Sequence, residues 1–273
     1  MAATTLVQDN YISFMNPRNP GHQQSNLHCR MRFYDETGFI SFVNESMERF
    51  HKLGLQPRYS IDELATPSLA TLTRWFENLG KRNSGFNFEY DTDIIMACSF
   101  EQFKTVFQKK QEKRQEDVGT APIKATLSDV EDLTQMIGTT FGYGSGDDLN
   151  WLRYKLTNQI KDHQTSIYAI EATTEFLHQQ QPNRRFKSVT ILNSPDGLPH
   201  LMHVNLCGTH PTHQHQGLAL RCLEHALHME LKCGQTAYLE VYDEIKHAQR
   251  MYERLGFTIQ GTLDYLTVTH SLR

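Results

Sequence analysis

The stretch from His203 to Ala219, reading H-V-N-L-C-G-T-H-P-T-H-Q-H-Q-G-L-A, constrains the fold of this chain more than any other. It opens as a strand, breaks over Gly208 to Pro211, and ends in a glycine-bearing turn from Gln214 to Ala219. A helix must follow, because Leu220, Leu223, Leu227 and Leu231 recur at the three-or-four spacing of one buried face. The first N–H groups of such a helix have no partner within it, and its dipole favours an anion in front of them. Gly217 lets the backbone approach that anion without an intervening side chain. The pattern predicts a phosphate-binding turn.

Downstream, Thr236 to Tyr242 reads as a strand, Ile245 to Leu255 as a helix with Gly256 as its cap, and Phe257 to Gly261 and Tyr265 to His270 as closing strands. The Q-x-x-G-x-A of Gln214, Gly217 and Ala219, then a strand, then A-x-x-x-Y-E-x-L-G-F from Ala248 to Phe257, resembles the GNAT superfamily of N-acetyltransferases. The resemblance covers Pro122 to Arg273. It implies an α/β fold: a mixed, mostly antiparallel central sheet flanked by helices. A smaller α+β domain is expected ahead of it.

Acetyl-CoA is the co-substrate that the resemblance implies, with no metal, and a primary amine is the acceptor, on a small molecule or a peptide. Backbone groups of Cys207, Gly208 and Thr209 would face the pantetheine arm, and Gln214, His215, Gln216, Gly217, Leu218, Ala219 and Leu220 would cradle the pyrophosphate. Many relatives carry Arg or Lys in this turn, where this chain has His215 and Gln216. Tyr252 occupies the position of the family's general acid. The glutamate that acts as base in some members, eleven residues before the glutamine, is replaced here by His203. An imidazole is a competent base for an ammonium; a water chain is the alternative, and Asn205 and His210 are further candidates. Phe141 and Tyr143 fall where relatives line the acceptor site. Cys207 reads as a buried, inert thiol, since the family transfers the acetyl group directly. Ile245 stands where many relatives carry Asn, which keeps open a non-catalytic, acyl-CoA-binding or scaffolding reading.

The histidines around the turn invite a metal reading that geometry weakens. His200 and His203, three apart on a strand, face opposite sides, and His225 and His228 share a helical face but lack a Cys or carboxylate pattern beside them. A formal charge of −4 with acidic and basic residues interspersed argues against nucleic acid or a membrane surface as partner. Five cysteines with no C-x-x-C pair, no signal-peptide pattern from Met1 to Ile12 and no long apolar run lead to the expectation of a reducing, cytoplasmic setting. Family members often dimerise through sheet edges, so a homodimer is expected as well.

The first half reads as a strand at Tyr11 to Phe14, a strand at Cys29 to Tyr34, a helix from Phe39 to Gly54, a loop at Pro57 to Ile61, a helix from Asp62 to Leu79 broken at Pro67, and one or two strands from Phe86 to Cys98. Arg74 to Gly80 matches Arg250 to Gly256 at four of seven positions, with Phe76 standing where Tyr252 stands. We read the first half as a reduced copy of the same fold that lacks the glycine turn and the acid, with chance similarity as the alternative. The mixed-charge run from Lys109 to Asp117 then serves as a linker, dividing the chain into domains 1–118 and 119–273. In the second domain Ser128 to Glu131 predicts a helix cap, and 173–185 a polar excursion between strands at Ser166 to Ala172 and Lys187 to Leu192. A protein-interaction module centred on 1–118 is a competing reading.

Overall fold

A computed structural model describes residues 4–112, 121–144, 146–172 and 186–271. They form two compact units, Met1–Asp93 with Thr262–Arg273, and Ile94–Gly261. The expected boundary at 118/119 lies outside the described residues, as does the excursion at 173–185. The units divide elsewhere.

In the first unit β1 (Thr4–Val7), β2 (Ile12–Met15) and β3 (Leu27–Cys29) pair antiparallel. Helix α1 (Glu36–Lys52) then crosses to β4 (Arg58–Asp62), which lies parallel to β3. Helix α2 (Leu69–Arg82) leads into β5 (Phe86–Ser99). Phe39, Phe42 and Val43 of α1 pack with Leu72, Trp75 and Phe76 of α2 over Tyr59 and Ile61 of β4. Two expectations are corrected. The segment read as a loop at Pro57 to Ile61 is β4, whose alternate residues Tyr59 and Ile61 are the buried ones. The strand expected to reach Tyr34 stops at Cys29, and Arg30 turns the chain with a φ of 56°. Asp35 caps α1, its carboxylate accepting from the Gly38 N–H at 2.8 Å.

The second unit takes the later half of β5 and helix α3 (Phe100–Gln111) into its core through Ile94, Met96, Cys98 and Phe103. Lys110 of α3 pairs at 2.9 Å with Glu224, which is 4% exposed. An apolar face and this ion pair make α3 part of a packed unit; the charged run expected to be the linker continues from its end into 113–117, which lie outside the described residues. There follow β6 (Ile123–Lys124), α4 (Val130–Phe141), α5 (Gly146–Lys161), β7 (Thr165–Glu171), β8 (Phe186–Asn193), β9 (Leu201–Thr209), α6 (Leu218–Glu230), β10 (Thr236–Tyr242), α7 (Lys246–Glu253) and β11 (Thr258–His270). The strands from β6 to β9 pair antiparallel in sequence, and β10 joins β9 in parallel across α6. Helices α4 and α5 cover one sheet face through Leu133, Ile137, Leu152 and Leu156, and α6 covers the other through Cys222, Leu223, Ala226 and Leu227. The cap expected at Ser128 lies two residues earlier: Asp129 accepts from the Thr126 N–H at 2.8 Å.

The two units repeat one plan. Three antiparallel strands, a helical crossover to a parallel fourth, a second helix and a last strand run as β1–β2–β3–α1–β4–α2–β5 and again as β7–β8–β9–α6–β10–α7–β11. The sequence match between Arg74–Gly80 and Arg250–Gly256 falls on equivalent helices, α2 and α7. Each last strand ends in the other unit, since β5 runs beyond Asp93 and β11 beyond Gly261. The closing segments read as two strands from Phe257 to His270 are one continuous strand, with its end paired antiparallel to β4. Among the described residues no helix is long and apolar enough to cross a membrane.

His28 is fully buried among Tyr11, Phe42, Phe50 and Tyr59, and neither ring nitrogen has a hydrogen-bond partner among the described residues. Burial first, and the Arg49 charge second, pull its titration down to about 3. Above the unfolded value near 6.5 the ring is neutral in both states, so its linkage contribution vanishes there. As pH falls below that value the unfolded chain gains a proton that the folded chain refuses, and stability is lost down to about pH 3. His28→Phe keeps an aromatic ring in this cluster and should remove that loss, worth a few kcal/mol at pH 4. Urea denaturation of both proteins at pH 7 and pH 4 checks it; an equal acid sensitivity would assign the loss to other groups.

Candidate active site

The site begins where β9 leaves β10. The parallel pair runs only through Leu201–Thr236, Met202–Ala237 and His203–Tyr238, although β9 continues to Thr209 and β10 to Tyr242. Along its other edge β9 stays paired to β8 as far as Thr209, opposite Ser188. The cause is a bulge. Ile191 faces Leu206 and Leu192 faces Val204, so Asn205 is an extra residue in β9. A bulge bends its strand and increases the local twist, which carries β9 away from β10 beyond His203.

The bulge also changes which side chains point where. Met202 and Val204 enter the core beneath α6, and after the extra residue it is Cys207 that packs against that core, while Leu206 turns to the α4 and α5 side. Gly208 meets the end of α4 so closely that a Cβ there would lie 2.7 Å from Phe141 Cζ and 3.1 Å from Thr140 Cγ2. Phe141 thus stands against the strand beside the slot, with its ring 43% exposed. Tyr143, predicted alongside it, instead closes the turn after α4: its N–H donates to the Gly138 carbonyl and its ring packs edge-on to Trp151.

From Thr209 the chain enters the turn. His210 is buried, and its Nδ1 accepts from the Thr212 N–H at 3.3 Å, which tightens the short helical turn Pro211–His213. His215 and Gly217 then both take left-handed backbone angles, with φ of 62° and 72°. For a residue with a Cβ this conformation costs about 1 kcal/mol, so strain is held at His215. Gly217 caps α6, and the first bond back to it comes from the Arg221 N–H at 3.1 Å. The N–H groups of His215 to Leu220 have no backbone or side-chain acceptor among the described residues. In front of them a Cβ on Gly217 would meet nothing within 4 Å. The equivalent helix of the first unit differs, because the Asp35 carboxylate already occupies the start of α1.

Tyr252 lies in the last turn of α7, buried at 9% exposure, with its carbonyl accepting from the N–H groups of Leu255 and Phe257 at 2.9 and 3.2 Å. Gly256, at a φ of 94°, makes that return possible. Burial pushes the Tyr252 hydroxyl above its ordinary value of 10, and the Cys207 thiol beside it adds to the rise. Burial also pushes Cys207 up to about 11, against a hydrogen bond from Thr190. Both groups therefore carry their protons at neutral pH. A protonated thiol is a poor nucleophile.

On the opposite face of β10, His203 Nε2 lies 2.8 Å from Glu240 Oε2, and its ring stacks on Tyr238 with centroids 4.8 Å apart. The hydrogen bond from His203 is the main reason the Glu240 carboxyl is held below its ordinary value, against the effect of burial. Glu240 was not foreseen. The signal was present in the alternation of β10, where Ala237, Leu239 and Val241 point inward and Tyr238, Glu240 and Tyr242 outward. What the chain alone does not disclose is the register that sets Tyr238 opposite His203. Of the other candidates, Asn205 is exposed at the bulge and Ile245 packs on the core. His225 packs on Tyr168 and His228 on Phe107, and no set of three or more His, Cys, Asp or Glu able to hold a metal occurs among the described residues.

Residues 188–257 match the sequence model of the acetyltransferase (GNAT) family. Among curated proteins no match was found. Solved structures resemble the whole chain. A functionally unknown conserved protein from Staphylococcus epidermidis superposes with a TM-score of 0.67 at 10% identity, over 99% of this chain and 95% of that one. A GCN5-related N-acetyltransferase from Kribbella flavida gives 0.60 at 13% identity, over 97% and 89%. A tandem GNAT protein from the clavulanic acid biosynthesis pathway gives 0.56 at 10% identity, over 96% and 79%. At these identities the likeness is one of fold, and it extends over both units.

The tight meeting of Gly208 and Phe141 generates a packing prediction. Gly208→Ala should cost about 1–3 kcal/mol through overpacking, and Phe141→Leu in the same chain should return part of it. A double-mutant cycle in urea measures the coupling, and additive effects would show that the two residues do not press on each other.

Proposed function

We propose, from the premise that residues 188–257 belong to the acetyltransferase (GNAT) family, that this protein transfers an acetyl group from acetyl-CoA to a primary amine. The observation that supports the reading is the row of N–H groups from His215 to Leu220, for which no acceptor occurs among the described residues, on the turn that follows β9 after its pairing with β10 has ended. Backbone amides at a helix start hold phosphate. No Lys or Arg lies between His210 and Leu220, so the pyrophosphate would be held by neutral amides and the dipole of α6. The free edge of β9 at Cys207, Gly208 and Thr209 would receive the pantetheine arm, and one of its amides would face the thioester oxygen.

In this reading His203 takes a proton from the acceptor ammonium, directly or through water, which frees the nitrogen electron pair. The amine attacks the thioester carbonyl and a C–N bond forms; as the C–S bond breaks, the nitrogen gives up its second proton to water, which restores the proton that Tyr252 spends. Tyr252, kept protonated by its burial, returns a proton to the departing thiolate. Phe141 would border the acceptor, a small molecule or a peptide. The first unit would serve as a structural partner, since Asp35 fills its helix start and the fully buried Phe76 replaces the acid. A reducing, cytoplasmic setting and a homodimer complete the proposal.

Calorimetric titration of the full-length protein with acetyl-CoA should give one site per chain, with a dissociation constant from micromolar to tens of micromolar, about −8 to −6 kcal/mol. Gly217→Glu should abolish this binding while leaving the unfolding transition in place, because the new carboxylate would enter the space in front of the amides; unchanged affinity would refute the assignment of the turn. Tyr252→Phe should bind acetyl-CoA as before and turn over about 10²-fold more slowly, in the range a positioned acid contributes. Equal turnover would leave Tyr252 a packing residue only.

A further inference from the structure

His203 sits at the last register before the strands part and Glu240 two residues beyond it, on the sheet face that β10 turns away from its core. His203 is 22% exposed and Glu240 42%, so both are reachable from solvent while neither is loose. Stacking on Tyr238 at an interplanar angle of 21° holds the plane of the imidazole, and the 2.8 Å bond holds its rotation. An ionised carboxylate only accepts hydrogen bonds. The ring nitrogen that faces it, Nε2, must therefore carry the hydrogen, and the neutral ring keeps its lone pair on Nδ1. No partner for Nδ1 occurs among the described residues. Tyr238 does not compete for the proton, because burial and Glu240 raise its hydroxyl above the ordinary value and keep it neutral.

We propose that Glu240 is the positioning residue for proton transfer at this site: it fixes His203 as the Nε2–H tautomer, makes Nδ1 the atom that takes the acceptor's proton, and faces the imidazolium that results. This rests on the acetyl-transfer reading. In the step itself an N–H bond of the ammonium breaks, an Nδ1–H bond forms, and the electron pair left on the amine nitrogen is free to attack. The positive charge gained by the ring lies against a carboxylate that is already ionised, as in other carboxylate–histidine pairs.

The test is a long-range proton–nitrogen correlation spectrum of the uniformly 15N-labelled full-length protein, at alkaline pH where the ring is neutral, with His203→Gln to assign the signals. The wild type should show two well-separated ring nitrogens, the unprotonated one at Nδ1. In Glu240→Ala the two shifts should move towards each other as the tautomers mix. Glu240→Gln, of the same size, should do likewise because its amide both donates and accepts, which guards against a variant that fails to fold. An Nδ1–H tautomer in the wild type, or an unchanged pattern in both variants, overturns the proposal. Titration with acetyl-CoA separates the two levels of the argument. Both Glu240 variants should bind it as the wild type does; lost affinity with an unchanged tautomer would make Glu240 a support of the coenzyme turn and overturn its assigned role. Failure of the wild type itself to bind acetyl-CoA would instead refute the acetyl-transfer reading, whatever the tautomer.

Discussion

The extra residue in β9 is the constraint on which the rest of the site depends. Without Asn205 the parallel register set by Leu201, Met202 and His203 would continue along β10, and the backbone groups from Val204 to Thr209 would be spent in the ladder. With it, one strand edge is released while the other remains anchored to β8. The same insertion switches the facing of the strand, so that Cys207 comes to lie beside Tyr252 and Gly208 against Phe141. One irregularity thus opens a slot and furnishes its sides.

The two units show how little separates a helix start that is open from one that is closed. Their strand and helix order is the same, yet α1 begins at Asp35 and α6 at Gly217. A carboxylate from the chain accepts the first-turn hydrogen bond of α1, and an incoming anion would have to displace it and bear the charge repulsion. At Gly217 no side chain among the described residues caps the helix. The replacement of a buried tyrosine by the buried Phe76 follows the same logic, keeping the packing of the second helix and dropping its hydroxyl.

Much of this was legible in the sequence, and the misses share a cause. Strand β10 falls on Thr236 to Tyr242 as the alternation predicts, and α6 begins at Leu218, directly after the glycine turn. The signals there are local: a glycine with positive φ, a leucine stripe, a period of two. Strand β4 was missed because R-Y-S-I-D presents only two apolar residues, and their burial depends on α1 and α2 packing over them. The packing of α3 into the second unit was not legible either, because the partner of Lys110 lies more than a hundred residues away in α6. Glu240 and the bulge were invisible for the same reason. Register between strands is a property of two segments together, and no single segment carries it.

Tyr252 and Glu240, to which the proposed reaction gives proton roles, lie on opposite sides of β10, and their environments push them in opposite directions. Tyr252 belongs to the buried core with Leu239 and Val241, where low polarity disfavours a phenolate and keeps the proton in place. Glu240 points the other way, half exposed, where the bond from His203 favours the carboxylate. The proposed reaction removes one proton and restores another, and two groups whose surroundings shift them in opposite directions suit that division.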